Sequence, residues 1–198
     1  RERGLKTVAV TAGYISPEAR RDFYRGMDAA NVDLKAFSES FYHRLCFAEL
    51  APVLDTLCWL KRETPVWFEV TTLLIPGQND SEDEVARLSD WCVQHLGPEV
   101  PLHFSAFYPT YKLRNLPRTP PRTVEAAHDT AVAEGLKYVY VGNVWTRSSG
   151  GFTKKSRKFV SASLNWKAGP HHCRQRRRLP TYHCGRKPLP RFRRHHCR

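Results

Sequence analysis

Two hydrophobic periods take turns along the first 144 residues. Short β-branched or apolar runs predict strands over 5–11 (Leu-Lys-Thr-Val-Ala-Val-Thr), 29–34, 66–75, 102–108 and 137–144. Between them the spacing lengthens to that of helices. Leu50, Val53, Leu54, Leu57 and Leu60 mark one over 49–63, and Val85, Leu88, Cys92 and Leu96 mark another that closes at Gly97. Start signals agree with the periods: Ser16-Pro17-Glu18 opens a helix ending near Gly26, and Ser38-Glu39-Ser40 opens a short one through Leu45. Asp80 or Ser81 caps the helix to Leu96, and Thr119-Pro120-Pro121 caps one ending at Gly135. Strands that alternate with helices need crossover connections, and these make a mainly parallel sheet. Five strands are too few for an eight-stranded barrel, so a partial barrel or open sheet, short of strands at its amino end, is the architecture expected.

Charge divides the chain. Residues 152–198 carry 15 Lys and Arg and no acid, which leaves 17 against all 19 acids in residues 1–151, a net charge of −2. The overall +13 is therefore a property of the tail, and it gives no reason to read the body as a nucleic-acid binder. No apolar stretch is long enough for a membrane span and no leader precedes the first strand, so a cytoplasmic protein is expected. Cys46, Cys58 and Cys92 fall in helical patterns and suit reduced, buried thiols. Arg1-Glu2-Arg3-Gly4 resembles the last turn of a helix, and the single methionine is Met27; the chain is expected to begin partway through a longer protein.

From Trp145 onward the pattern disappears. His171-His172-Cys173, His183-Cys184 and His195-His196-Cys197 invite a zinc reading, but no C-x2-C pair occurs. The segment 145–198 is expected to be a basic, disordered second region whose contact with nucleic acid is non-specific. A misjoined or out-of-frame coding end is the favoured origin.

Candidate chemistry gathers at the carboxyl ends of the strands. In Asn31-Val32-Asp33-Leu34-Lys35, alternation puts Val32 and Leu34 on one face and Asp33 and Lys35 on the other. At the carboxyl edge of a parallel sheet such a pair stands where α/β folds collect cofactors. The plainer reading of the same spacing is a local ion pair at a strand end. Neighbouring strand tips carry Thr11-Ala12-Gly13-Tyr14, then Thr71-Thr72-Leu73-Leu74-Ile75-Pro76-Gly77, then His103 through Tyr108. Gly13 lets the backbone bend sharply or approach a ligand.

In order and spacing, four stretches resemble the carboxyl-terminal half of the radical S-adenosylmethionine enzymes of the AmmeMemoRadiSam system, relatives of the pyruvate formate-lyase activating enzyme. They are residues 6–15 (Lys-Thr-Val-Ala-Val-Thr-Ala-Gly-Tyr-Ile), Val32-Asp33-Leu34-Lys35, Ile75-Pro76-Gly77-Gln78-Asn79-Asp80 and residues 138–144 (Tyr-Val-Tyr-Val-Gly-Asn-Val). The resemblance covers residues 1 to about 144. It implies an α/β fold, a partial (β/α)6 barrel truncated at its amino end to about five parallel strands. It also implies S-adenosylmethionine and a [4Fe-4S] cluster, whose electron cleaves the sulfonium to methionine and a 5'-deoxyadenosyl radical that abstracts hydrogen. Cofactor contacts are implied for Asp33 and Lys35, with Thr11 and Gly13 in the turn beside them and Thr71 and Leu73 along the nucleoside. Asp33 would accept from a ribose hydroxyl or an amino group, Lys35 would pair with the carboxylate, and Leu73 would wall the adenine. Thr71 and Leu73 suit ordinary strand packing equally well. The partners implied are a protein or small-molecule substrate and an electron donor such as flavodoxin or ferredoxin.

The chain departs from that family in three places. Cluster thiolates in a C-x3-C-x2-C loop are absent, and the loop, with the Asn-Glu-Pro-type motif after it, is expected ahead of Arg1. Tyr108 stands where relatives commonly carry histidine, and the family pattern stops after Asn143-Val144. A fragment inactive by itself is therefore expected, with no catalytic residue and no metal ligand of its own. Two other functions fit parts of the chain: a Schiff-base aldolase or isomerase using Lys35 with Asp33 as proton partner, and a nucleic-acid-binding module driven by the tail.

Overall fold

The computed structural model of the protein describes residues 3–144. Expectations placed on Arg1, Glu2 and residues 145–198 lie outside the described residues. Five strands form one sheet in the order of the chain: β1 (Val8–Thr11), β2 (Ala29–Asp33), β3 (Trp67–Leu74), β4 (Leu102–Ala106) and β5 (Val139–Gly142), each parallel to its neighbours. Helices α1 (Pro17–Arg25), α2 (Glu39–Phe41), α3 (Ala51–Glu63), α4 (Glu82–Leu96) and α5 (Pro121–Ala133) fill the crossovers. The α/β class, the parallel pairing and the five strands agree with the sequence reading.

Sequential strand order has a direct consequence. Crossovers of one hand put successive helices on the same side of the sheet, as in a barrel, and leave the other side without a helical layer. Ala9, Ala30, Val32, Leu34, Phe68, Val70, Leu74, Leu102, Phe104 and Ala106 point to the helices and are buried. The alternate positions, Ala29 apart, are not. Val10 is 81%, Val8 60% and Trp67 50% exposed, although all three lie in strands.

Capping explains where the longer helices begin. The Ser16 and Ser81 hydroxyls accept from the Ala19 and Glu84 backbone N–H groups, each three residues on. Thr119 behaves differently from the expected cap. Its hydroxyl accepts from Phe107 N–H at 2.9 Å and donates to Leu74 O at 2.6 Å, so it ties the loop before α5 to β3, while Pro120 precedes the helix without a side-chain cap. The short helix after Ser38 also changes character. α2 runs into a π-turn over Tyr42–Cys46, and Phe47 ends it in the left-handed region at φ 52°. On the outer side, buried Arg20 joins α1 to α3 through Asp55 at 2.5 Å and lies over the Trp59 ring at 5.0 Å.

One amide organises the carboxyl end. Asn79 is buried; its Nδ2 donates to Lys35 O at 2.6 Å and to Leu73 O at 2.9 Å, and its Oδ1 accepts from Ile75 N–H at 2.7 Å. Asn79→Ala strands these groups away from water and is expected to cost about 2–4 kcal/mol in urea unfolding. Asn79→Asp, which keeps an acceptor for Ile75 and loses both donors, is also expected to destabilise.

The thiols set an alkaline limit. Burial, chiefly, pushes the Cys92 thiol up to about 12, and burial also raises Cys46, Cys58, Tyr24 and Tyr42. An unfolded thiol loses its proton near about pH 8.5, whereas folded Cys92 holds it, so deprotonation favours the unfolded chain. Stability should be complete below that pH and fall above it by about 1.4 kcal/mol per pH unit for each such group. Unfolding midpoints from pH 7 to 10 check this, and Cys92→Ala should lower the plateau but flatten the slope.

Candidate functional site

Alternation along β2 and just beyond it brings Asp33 and Lys35 to the helix-free face of the sheet. Lys35 Nζ donates to Asp33 Oδ2 at 2.8 Å, and the two side chains are 39% and 33% exposed, Lys35 first. The local ion pair is therefore present, and it stands at the carboxyl end of β2. Asp33 is in register with Thr71, Thr71 with His103, and His103 with Tyr140, so a polar row crosses four strands. Leu73, the next residue of β3 on that face, is partly exposed beside Lys35, and the Asn79 amide holds the two backbones together. Four of the residues singled out from sequence, Asp33, Lys35, Thr71 and Leu73, are thus brought together.

Thr11 and Gly13 are not brought onto that face. Thr11 pairs with buried Val32 and turns toward the helical layer, where its hydroxyl accepts from Gly13 N–H at 3.1 Å. Gly13 is buried at φ +66°, and a Cβ there would meet Val32 Cγ1 at 2.8 Å. Its role in this structure is close packing of the turn on β2, which holds the strand that carries Asp33.

Four backbone groups around Lys35 are tethered by side chains. Its N–H donates to the Tyr42 hydroxyl at 3.1 Å, and the Thr72 hydroxyl donates to Leu34 O at 2.7 Å. Burial holds the Tyr42 hydroxyl well above the usual phenol range, so it remains a neutral partner. The adjoining Phe37 N–H donates to Glu84 Oε1 at 2.8 Å. On the β1 side of Lys35 lies a cavity of about 340 Å³, walled by Ala12, Tyr14, Tyr42, Cys46 and Phe47 among others. It is mostly apolar, with Lys35 the one charged group at its wall among the described residues.

Alternation also places a pair that sequence reasoning did not isolate. Glu69 Oε2 lies 2.8 Å from His103 Nε2, and the Tyr140 ring stacks on the imidazole at 4.9 Å. The available signal was parity: Glu69, Thr71, His103 and Tyr140 all occupy the face that Asp33 occupies.

Metal chemistry has no support among the described residues. Cys46, Cys58 and Cys92 are free, and no group of three or more His, Cys, Asp or Glu side chains is placed to hold an ion. No helix there is long and apolar enough to cross a membrane.

No family model matches the chain. It is 44% identical over 144 residues to an uncharacterized protein of Methanocaldococcus jannaschii, an alignment that takes in 73% of this chain and 42% of the relative. The chain thus spans less than half the length of that relative. Among solved structures, a domain of pyruvate-formate lyase-activating enzyme from Bacteroides vulgatus superposes with a TM-score of 0.62 at 13% identity, covering 72% of this chain and 84% of that one. A radical SAM methyltransferase from Sphaerobacter thermophilus gives 0.55 at 16% identity, covering 71% of this chain and 40% of the other. The fold is radical SAM-like.

Glycine substitutions separate packing from backbone strain. Gly13→Ala meets both a positive φ and the Val32 side chain, whereas Gly77→Ala meets a positive φ of 70° in open space. Thermal or urea unfolding should show Gly77→Ala costing about 1 kcal/mol and Gly13→Ala clearly more.

Proposed function

We propose that this chain is the cofactor-holding portion of a radical S-adenosylmethionine enzyme, of the AmmeMemoRadiSam type that the motifs resemble. The observation that carries the reading is the Asp33–Lys35 pair, in register with Thr71 and clamped to Leu73 at the carboxyl edge of a radical SAM-like sheet. Asp33 offers carboxylate oxygens to ribose or amino donors. Lys35 donates one N–H to Asp33 and has two left for an anionic group such as the cofactor carboxylate. Leu73 supplies apolar surface for adenine, and Thr71 a hydroxyl beside it. When bound, the cofactor would supply a 5'-deoxyadenosyl group for radical hydrogen abstraction; these four residues bind and orient it.

A [4Fe-4S] cluster does not fit the described residues. Its ligands are thiolates, and the three cysteines present sit singly on separate turns or helices, Cys92 fully enclosed. In this reading the cluster thiolates lie outside residues 3–144, as do the surfaces for substrate and for an electron donor such as flavodoxin or ferredoxin. A Schiff base on Lys35 with Asp33 as proton partner is not better supported, because the 2.8 Å contact is accounted for equally by an ion pair.

Amide-detected NMR titration of the 198-residue chain with S-adenosylmethionine tests the proposal. Weak binding is expected, with the largest shifts at Lys35, Thr71 and Leu73, reduced at least about tenfold by Asp33→Asn. Absence of shifts, or shifts centred elsewhere, would overturn it. Under reducing conditions the chain alone should form no 5'-deoxyadenosine; its formation would overturn the placement of the cluster ligands.

A further inference from the structure

The loop that leads from β4 to α5 takes no part in the site described above. Residues 100–124 carry Lys112, Arg114, Arg118 and Arg122 and no acid, which leaves 13 Lys and Arg against all 19 acids in the rest of residues 1–151. All four residues are exposed. None of them forms an ion pair among the described residues. A cationic segment thus stands on a body that is otherwise net acidic, and no described acid neutralises it.

The loop is also held in shape. Leu113 and Leu116 pack against the core, and the Tyr111–Leu113 turn closes where Leu113 N–H donates to Thr110 O at 3.0 Å. Thr119 ties the far end to Leu74 O and to Phe107. Tyr111 gains nothing from that shape. Its backbone is left-handed at φ 46°, a region costly for a bulky side chain, and the residue is 75% exposed. Lys112 Nζ lies over its ring, 5.5 Å from the centroid. Core packing therefore does not account for the ring.

A fixed, exposed ring among unpaired cations has the two elements that hold a single nucleic-acid strand, a platform for a base and charges for the phosphates beside it. A duplex keeps its base faces stacked away from such a ring. Carboxylates of an acidic protein would answer the charge alone and would leave the strained ring without a counterpart.

We propose that the β4–α5 loop is a binding surface for single-stranded nucleic acid, with a base stacked on Tyr111 and phosphates on Lys112, Arg114 and Arg118. The inference stands on this loop and rests on neither the cofactor reading nor the tail.

Amide-detected NMR titration of the 198-residue chain tests it residue by residue. The probes are octathymidylate DNA, an abasic octamer of the same backbone and charge, and an octaglutamate peptide, all at one ionic strength. Octathymidylate is expected to give saturable shifts across residues 110–118, and the other two to need at least about tenfold more. Tyr111→Phe should keep the response. Tyr111→Gly, which relieves the left-handed backbone, should weaken it at least about tenfold while keeping or raising the thermal midpoint. The double variant Lys112→Gln, Arg114→Gln should weaken it and flatten its dependence on salt. The proposal is overturned by the absence of saturable shifts at 110–118, by shifts confined to residues 145–198, by an equal response to the abasic octamer, or by an unchanged response in Tyr111→Gly. A Tyr111→Gly midpoint lowered by more than about 5 °C, the mark of a ring kept for folding, overturns it as well. An equal response to octaglutamate also overturns it and assigns the loop to acidic protein segments instead.

Discussion

Carbonyl groups past the last rung of a parallel sheet need partners, and the way this chain supplies them sets the geometry of its whole carboxyl edge. Where the ladder stops, side chains from neighbouring strands and loops take over: Thr72 reaches Leu34 O, Asn79 reaches Lys35 O and Leu73 O, Thr119 reaches Leu74 O, and Asn143 reaches Ala106 O. Each is a neutral hydrogen bond of modest net worth, but each also removes a desolvated orphan, whose cost is larger. Asn79 alone joins β2, β3 and its own loop. The clamps thus do more than stabilise. They fix the backbone of Lys35 and Leu73, which are the positions at which the sheet offers an ammonium and an apolar wall.

A second constraint is the sequential strand order. Because the helices accumulate on one side, the period-2 alternation of every strand acquires a fixed meaning: one parity is core, the other is chamber. Val8, Val10 and Trp67 are apolar at the amino-end rows of the chamber side, and Asp33, Lys35, Thr71 and His103 are polar further along. Apolar strand residues 50–81% exposed carry a real hydration cost, and polarity along that face rises toward its carboxyl end.

Much of this was legible in the sequence because it is local. The five strands, the caps at Ser16 and Ser81, and the facing of Asp33 with Lys35 arise from periods and spacings a few residues long. What escaped is non-local. The clamps that join separate strands span 37 to 45 residues, and nothing near Thr119 distinguishes a cap from a tether to β3. Thr11 and Gly13 sit in the right turn, yet only the register with Val32 reveals that they face the helices. The π-turn at Tyr42–Cys46 was likewise hidden, since its apolar spacing over so short a stretch reads as ordinary helix.

The two ion pairs of the chamber side show why composition misleads about function here. The tail supplies the whole excess of positive charge, yet the helix-free face of the sheet combines Asp33 with Lys35 and Glu69 with His103. Partly buried carboxylates on a strand are tolerated only when something holds them, and each is held by a group that leaves different chemistry behind. An ammonium beside Asp33 neutralises it and keeps donors for an anion. The Glu69 carboxylate instead meets an imidazole at 2.8 Å, against which the Tyr140 ring stacks. Two carboxylates in one sheet are thereby held by different partners, a distinction set by which strand neighbours each acid and invisible to any count of residues.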